Sequence, residues 1–131
     1  MSASAQLIPS SAFAPDVAAA TRETRLSLII IATGRQLRLP VAATQLIGRR
    51  DEARGVIPDV DLGSDGGYDS GVSRRHALLS CRDDVYYIED LGSANGTFIN
   101  EQQLAPQLVT RLAHGDELRC GLLALRVEIS A

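Results

Sequence analysis

Lysine is missing from this sequence, and all 13 of its basic residues are arginine. Tryptophan is missing too, and aromatic residues make up only 4% of the chain, so a core has to come from Leu, Ile, Val and Ala. Two cysteines, Cys81 and Cys120, are too few for a disulfide framework and lack metal-ligand spacing. Each lies in a strand-like run, which predicts two buried thiols in a reducing, cytoplasmic compartment. No apolar run nears the ~20 residues that span a bilayer, so no direct membrane insertion is expected. No basic segment leads into a long apolar stretch, so no secretory signal is expected either. The net charge of −3 lacks the broad basic excess that non-specific nucleic-acid binding requires. Two well-separated histidines, His76 and His114, offer no metal site. Gly66-Gly67 is not followed by the Lys-Ser/Thr of a nucleotide-binding loop, and no cofactor is expected.

What is present is one domain's worth of chain, 131 residues with 45% hydrophobic content. Residues 1–25 are rich in Ala, Ser, Pro and Thr and read as a tail or linker. A short helix at 18–25, or docking of this tail on a larger protein complex, is the lesser alternative. From Leu26 to residue 131 the pattern changes to short apolar runs separated by turn signals, the spacing of an all-β sandwich. Strands are expected at 26–32, 35–39, 45–49, 60–62, 76–82, 85–91, 97–100, 116–121 and 123–129. The last is the clearest, with Leu123, Leu125, Val127 and Ile129 on one face and Arg126 and Glu128 on the other. With these nine among them, ten or eleven short strands are expected in all, enough for two packed antiparallel sheets. A long, glycine-rich loop over 50–72 separates the third strand from the strand after Ser73, and loops of that length are usually functional.

Three short segments carry the chemistry. Gly48-Arg49 leaves a strand, Ser73-Arg74-Arg75-His76 enters one, and Ser93-Ala94-Asn95-Gly96-Thr97-Phe98-Ile99-Asn100 surrounds a turn. Taken singly each has an ordinary reading. Arg49 is equally a surface arginine, Ser73 a turn-capping hydroxyl, and Asn95-Gly96 a hairpin signal. A nearby Ser and His suggest a nucleophile and base, but no acid or oxyanion hole accompanies them, and His76 reads better as a buried imidazole holding loop backbone. Together the segments collect arginine, hydroxyl and amide donors, the means of holding an anion rather than transforming one. A phosphorylated residue carries about −1.5 to −2 charges and three strong acceptor oxygens, which suits such a set.

In order and spacing, Gly48-Arg49, Ser73-x-x-His76 and Asn95 to Asn100 resemble the forkhead-associated (FHA) domain, over about residues 26–129. The resemblance implies an eleven-stranded β-sandwich whose loops at one end bind phosphothreonine peptides, without catalysis. It implies that Arg49 and Ser73 contact the phosphate, Arg74 the phosphate or the peptide, and Asn95 the peptide backbone. Gly48, His76 and Gly96 would shape the loops, and Arg50, Arg54 and Asp69 lie in a candidate specificity loop. The implied role is in Ser/Thr-kinase-linked signalling or phosphorylation-regulated assembly. The alternative is a structural or adaptor subunit of a larger complex that uses the fold and the N-terminal tail without phosphate dependence. Three departures stand out. Ala94 occupies a place where the family often has a polar donor, Glu101 replaces a usual glycine, and the long loop carries Asp51, Glu52, Asp59, Asp61, Asp65 and Asp69.

Overall fold

The computed structural model describes residues 26–40 and 43–130; the expectations for residues 1–25 lie outside the described residues. Eleven strands form the fold: β1 (Leu26–Ile30), β2 (Gln36–Leu39), β3 (Thr44–Gly48), β4 (Val60–Asp61), β5 (Arg75–Arg82), β6 (Val85–Asp90), β7 (Thr97–Ile99), β8 (Gln102–Gln103), β9 (Thr110–Leu112), β10 (Glu117–Cys120) and β11 (Leu123–Ile129). One sheet has the order β2-β1-β11-β10-β7-β8 and the other β4-β3-β5-β6-β9. The first and last strands pair centrally, Leu26 opposite Ile129 and Ile30 opposite Leu125.

Alternation builds the interior. Leu28 and Ile30 of β1, Leu125 and Val127 of β11, and Leu118 and Cys120 of β10 meet Ile47, Ala77, Leu79 and Ile88 of the second sheet in one buried cluster. Each inward side chain is paired with an outward neighbour one residue away, so a one-residue slip would expose the whole set. Truncating Leu125, with no exposed surface, to alanine would cost about 2–5 kcal/mol.

The β5–β6 hairpin turns at Asp83 and Asp84, both in the left-handed region at φ 53° and 64°, as a two-residue hairpin with right-twisting strands requires. The β7–β8 turn uses Asn100 and Glu101 the same way, at φ 50° and 70°. Two strands have no counterpart in the expected set. β8 is Gln-Gln, without apolar alternation, and β9 is three residues long.

The stretch over 50–72 is more structured than a plain loop. It contains β4, which runs parallel to β3, Ile47 opposite Val60, so the pairing is not antiparallel throughout. Single 3-10 turns flank β4 at Glu52–Arg54 and Gly63–Asp65, and Val60, Leu62 and Val72 are buried. Cys120 is fully buried, and burial pushes its thiol up to about 12. Cys81 departs from expectation: near the free end of β5 it is only half-buried.

Candidate functional site

The site starts where β3 touches the entry to β5. A β-bulge lies between Ile47 and Gly48, and a Cβ placed on Gly48 would sit 1.8 Å from the Arg74 carbonyl oxygen. Only glycine fits that approach. Directly after it, the Arg49 backbone N–H donates to the Arg74 carbonyl (3.1 Å), and its Nε donates to the Val72 carbonyl (2.5 Å). The Tyr68 ring lies 5.0 Å from the guanidinium carbon. No described carboxylate is ion-paired with Arg49, so its terminal nitrogens are free to meet an anion.

Ser73 is oriented from two sides. Its backbone N–H donates to His76 Nδ1 (3.0 Å), and its Oγ accepts from the Ala94 N–H (3.1 Å). His76 is completely buried and its Nε2 donates to the Gly96 carbonyl (2.9 Å). Because a backbone N–H points at Nδ1, the proton sits on Nε2. Burial lowers the imidazole below its usual 6.5, against the opposing pull of the Gly96 carbonyl and Asp90, so the ring is neutral. With both ring nitrogens bonded to backbone, His76 has no free base for the Ser73 hydroxyl.

The third segment is folded around Asp90, at the end of β6. Its carboxylate accepts from the Gly92 and Ser93 N–H groups (3.0 and 3.1 Å) and from the Ser93 and Thr97 hydroxyls (2.5 and 2.6 Å). Burial raises the pKa of this carboxyl, but the two hydroxyls and two N–H groups outweigh it and hold the group below its normal value. Ser93 Oγ in turn accepts from the Gly96 N–H (3.0 Å). Gly96 has φ 88°, and a Cβ there would meet Gln103 and the Phe98 ring. Asn95 is exposed and donates from Nδ2 to the Gly71 carbonyl (3.0 Å).

The expected site residues therefore meet at one rim. Arg49 is held at Val72, Ser73 is bonded to Ala94, and Asn95 reaches back to Gly71. Arg74 stands apart: its Nε donates to Asp51 Oδ2 (2.6 Å), which Arg54 Nη1 also reaches at 3.1 Å. The Arg74 guanidinium, with Arg54, holds the Asp51 carboxyl below its usual value. Arg50 pairs with Glu52. The loop's acids are thus largely satisfied by donors of the protein itself, inside the loop and beyond it. Asp59 accepts from the Leu46 N–H, Asp61 from the Arg50 and Gly63 N–H groups, and Asp65 forms a two-pronged pair with Arg35 (2.8 and 2.9 Å). Asp69 alone among these acids is given no such partner by a described residue.

Tyr68, Asp90 and Arg119 lie outside the three sequence segments, and Thr97 lies inside one without a role that the sequence assigns. For Asp90 a signal exists, since Asp before Gly92-Ser93 at a strand end is an Asx-turn pattern. Tyr68 and Arg119 carry no local signal, because what matters is which distant side chain they touch. Among the described residues no His, Cys, Asp and Glu are grouped to hold a metal ion, and no helix is long and apolar enough to cross a membrane.

The profile of the FHA domain matches residues 46–121, which carry all three site segments. Protein FraH of Nostoc sp. is 35% identical over 95 residues, covering 72% of this chain and 32% of FraH. The oxoglutarate dehydrogenase inhibitor of Corynebacterium jeikeium is 38% identical over 80 residues, covering 61% of this chain and 51% of that protein. The chain thus spans from about a third (32%) to about half (51%) of the length of these curated relatives. Among solved structures, the FhaA FHA domain complexed with the intracellular domain of Rv3910 is similar at TM-score 0.62 and 30% identity, over 79% of this chain and 99% of that one. Mycobacterium tuberculosis EmbR in complex with a low-affinity phosphopeptide is similar at TM-score 0.66 and 29% identity, over 88% of this chain and 29% of that one. The two-sheet fold, the three converging segments and the profile match agree: this chain belongs to the FHA domain family.

Proposed function

We propose that this protein is a non-catalytic module that binds phosphothreonine-containing segments of partner proteins in kinase-linked signalling or phosphorylation-regulated assembly. The observation that carries this reading is the Arg49 guanidinium, steered by the Val72 carbonyl and the Tyr68 ring and free of the loop's carboxylates. Beside it, Ser73 Oγ has its acceptor role filled by Ala94, so its proton is free to donate to a phosphate oxygen. Asn95, anchored on Gly71, supplies an exposed amide for the backbone of an extended peptide. Charge-assisted bonds of this kind contribute about 1.5–3 kcal/mol each. Two or three of them, offset by ordering a peptide, suit dissociation constants in the ~micromolar range.

Arg74 has a lesser part in this reading, since the phosphate would compete with Asp51 for it. The non-catalytic character is supported by His76, whose ring is committed to backbone partners. A cytoplasmic setting is supported by two free thiols, Cys81 and Cys120. Residues 26–131 would act as the recognition unit, with residues 1–25 as a tail that can join a larger complex. The test is fluorescence anisotropy with a phosphothreonine peptide library and its unphosphorylated twins, on wild type and Arg49→Ala. Phosphate-dependent binding that falls at least ~30-fold in a folded Arg49→Ala supports the reading. Equal binding of both peptide forms refutes it and leaves the scaffold alternative.

A further inference from the structure

Next to Asn95 the surface opens into a cleft of about 430 Å³ whose walls include Asp69, Asn95, Phe98, Arg119 and Leu122. Arg119 comes from β10 and is fixed on two sides. Its guanidinium carbon lies 3.9 Å from the centre of the Phe98 ring, and Nη1 donates to the Gly121 carbonyl at 2.7 Å. Its other N–H groups meet no acceptor among the described residues. Leu122, just after the β10 strand, is 76% exposed and gives the cleft an apolar lip. The floor is rigid, because the Leu122 N–H donates to the Ser70 carbonyl (2.8 Å) and a Cβ on Gly121 would stand 2.5 Å from that same oxygen.

We propose that Arg119 is a specificity-determining residue that selects an acidic side chain a few residues from the phosphothreonine, its methylenes lying on Leu122. This rests on the phosphothreonine reading and deepens it. The cleft adjoins the amide that holds the peptide backbone, so an extended ligand leaving Asn95 passes over it. An arginine stacked on an aromatic ring and hydrogen-bonded through one nitrogen is already ordered, so a carboxylate meeting its free edge forfeits little further side-chain entropy. Asp69, which also lines the cleft, opposes this preference. Being exposed on the loop, its field is screened by water more than that of the half-buried arginine. A basic ligand residue reading Asp69 is the rival outcome.

The experiment takes one phosphothreonine peptide and replaces each flanking position in turn by Glu, Ala and Lys. Binding is measured by anisotropy to wild type, Arg119→Gln and Asp69→Asn. The expected result is one position where Glu tightens wild-type binding about five-fold over Ala, the scale of a partly exposed charge pair. Arg119→Gln should erase that gain and leave the Ala peptide's affinity unchanged, while Asp69→Asn should enlarge it. The exposed Asp69 variant keeps the test decisive if Arg119→Gln is poorly folded. Absence of an acidic preference, its survival in Arg119→Gln, its failure to grow in Asp69→Asn, or a preference for Lys overturns the assignment of Arg119 while phosphate dependence stands. Equal binding of phosphorylated and unphosphorylated peptides overturns both readings.

Discussion

Replacing His76 by alanine separates a structural imidazole from an incidental one. The ring is wholly buried and joins two of the three site segments, through Ser73 at 3.0 Å and Gly96 at 2.9 Å. Its removal strands one donor and one acceptor, at about 1–3 kcal/mol each. It also opens a cavity, so the combined cost is expected at about 3–5 kcal/mol. That is a large part of the ~5–15 kcal/mol that holds a domain together. Urea denaturation of wild type and variant measures it, and a loss below ~1 kcal/mol at unchanged slope would refute the bridging role. Acid supplies a second check. Burial lowers the folded-state pKa of His76 below 6.5, so the unfolded chain binds a proton that the folded one refuses. This contribution is complete above the unfolded pKa and is lost as pH falls from 6.5 toward the depressed folded value. The slope is at most about 1.4 kcal/mol per pH unit. The difference between wild type and His76→Ala isolates it, and a difference that is flat or grows as pH falls would sink the assignment. Asp90 acts lower on the scale. Its folded pKa lies below 3.8, so its stabilisation is present above 3.8 and is lost only as pH falls beneath it.

Gly48→Ala is expected to unfold the domain or lower its midpoint severely in a thermal melt, because the new Cβ would fall 1.8 Å from the Arg74 carbonyl oxygen, in backbone that cannot swing aside. Glu101→Gly should stabilise by about 0.5–1 kcal/mol in urea, since a side chain at φ 70° is strained and glycine's extra unfolded-state freedom offsets only part of that relief. Asp51→Asn should release Arg74 and tighten phosphopeptide binding about three- to ten-fold by anisotropy, a weakening instead showing that the ion pair builds the site.

Much of the fold was legible because alternation survives in the sequence. In β11 the buried residues are the apolar ones two apart, and Asp83-Asp84 marks the β5–β6 turn. β8 and β9 were not legible: a Gln-Gln pair and a three-residue run contain too few positions to show a period. The parallel pairing of β4 was hidden for another reason. Val60-Asp61 says strand, but only the tertiary contact with Ile47 says which direction. At the site, Arg49, Ser73, His76 and Asn95 were identified by segment order, and the structure joins their segments by hydrogen bonds. For Arg74 the sequence shows a charge beside the site but not its partner Asp51. Asp51 lies 23 residues away, and only folding makes them neighbours.

The alanine at position 94 bears directly on whether such a site can work. A polar side chain there would add a donor, and its absence suggests a weakened receptor. Yet the backbone at 94 is what the rim uses: the Ala94 N–H occupies an acceptor position on Ser73 Oγ. A hydroxyl that accepts from one side donates more strongly on the other, because aligned hydrogen bonds polarise one another. The Ser73 proton is not used in that bond and stays available to an incoming oxygen. This bond depends on Asp90, which fixes Ser93 and hence the position of the next peptide N–H. On the proposed reading, phosphate recognition at Ser73 would thus rest on a buried carboxylate two links removed, through backbone that alanine supplies as well as threonine. Side-chain variation at 94 then adjusts affinity, whereas loss of Asp90 would remove the geometry on which Ser73 relies.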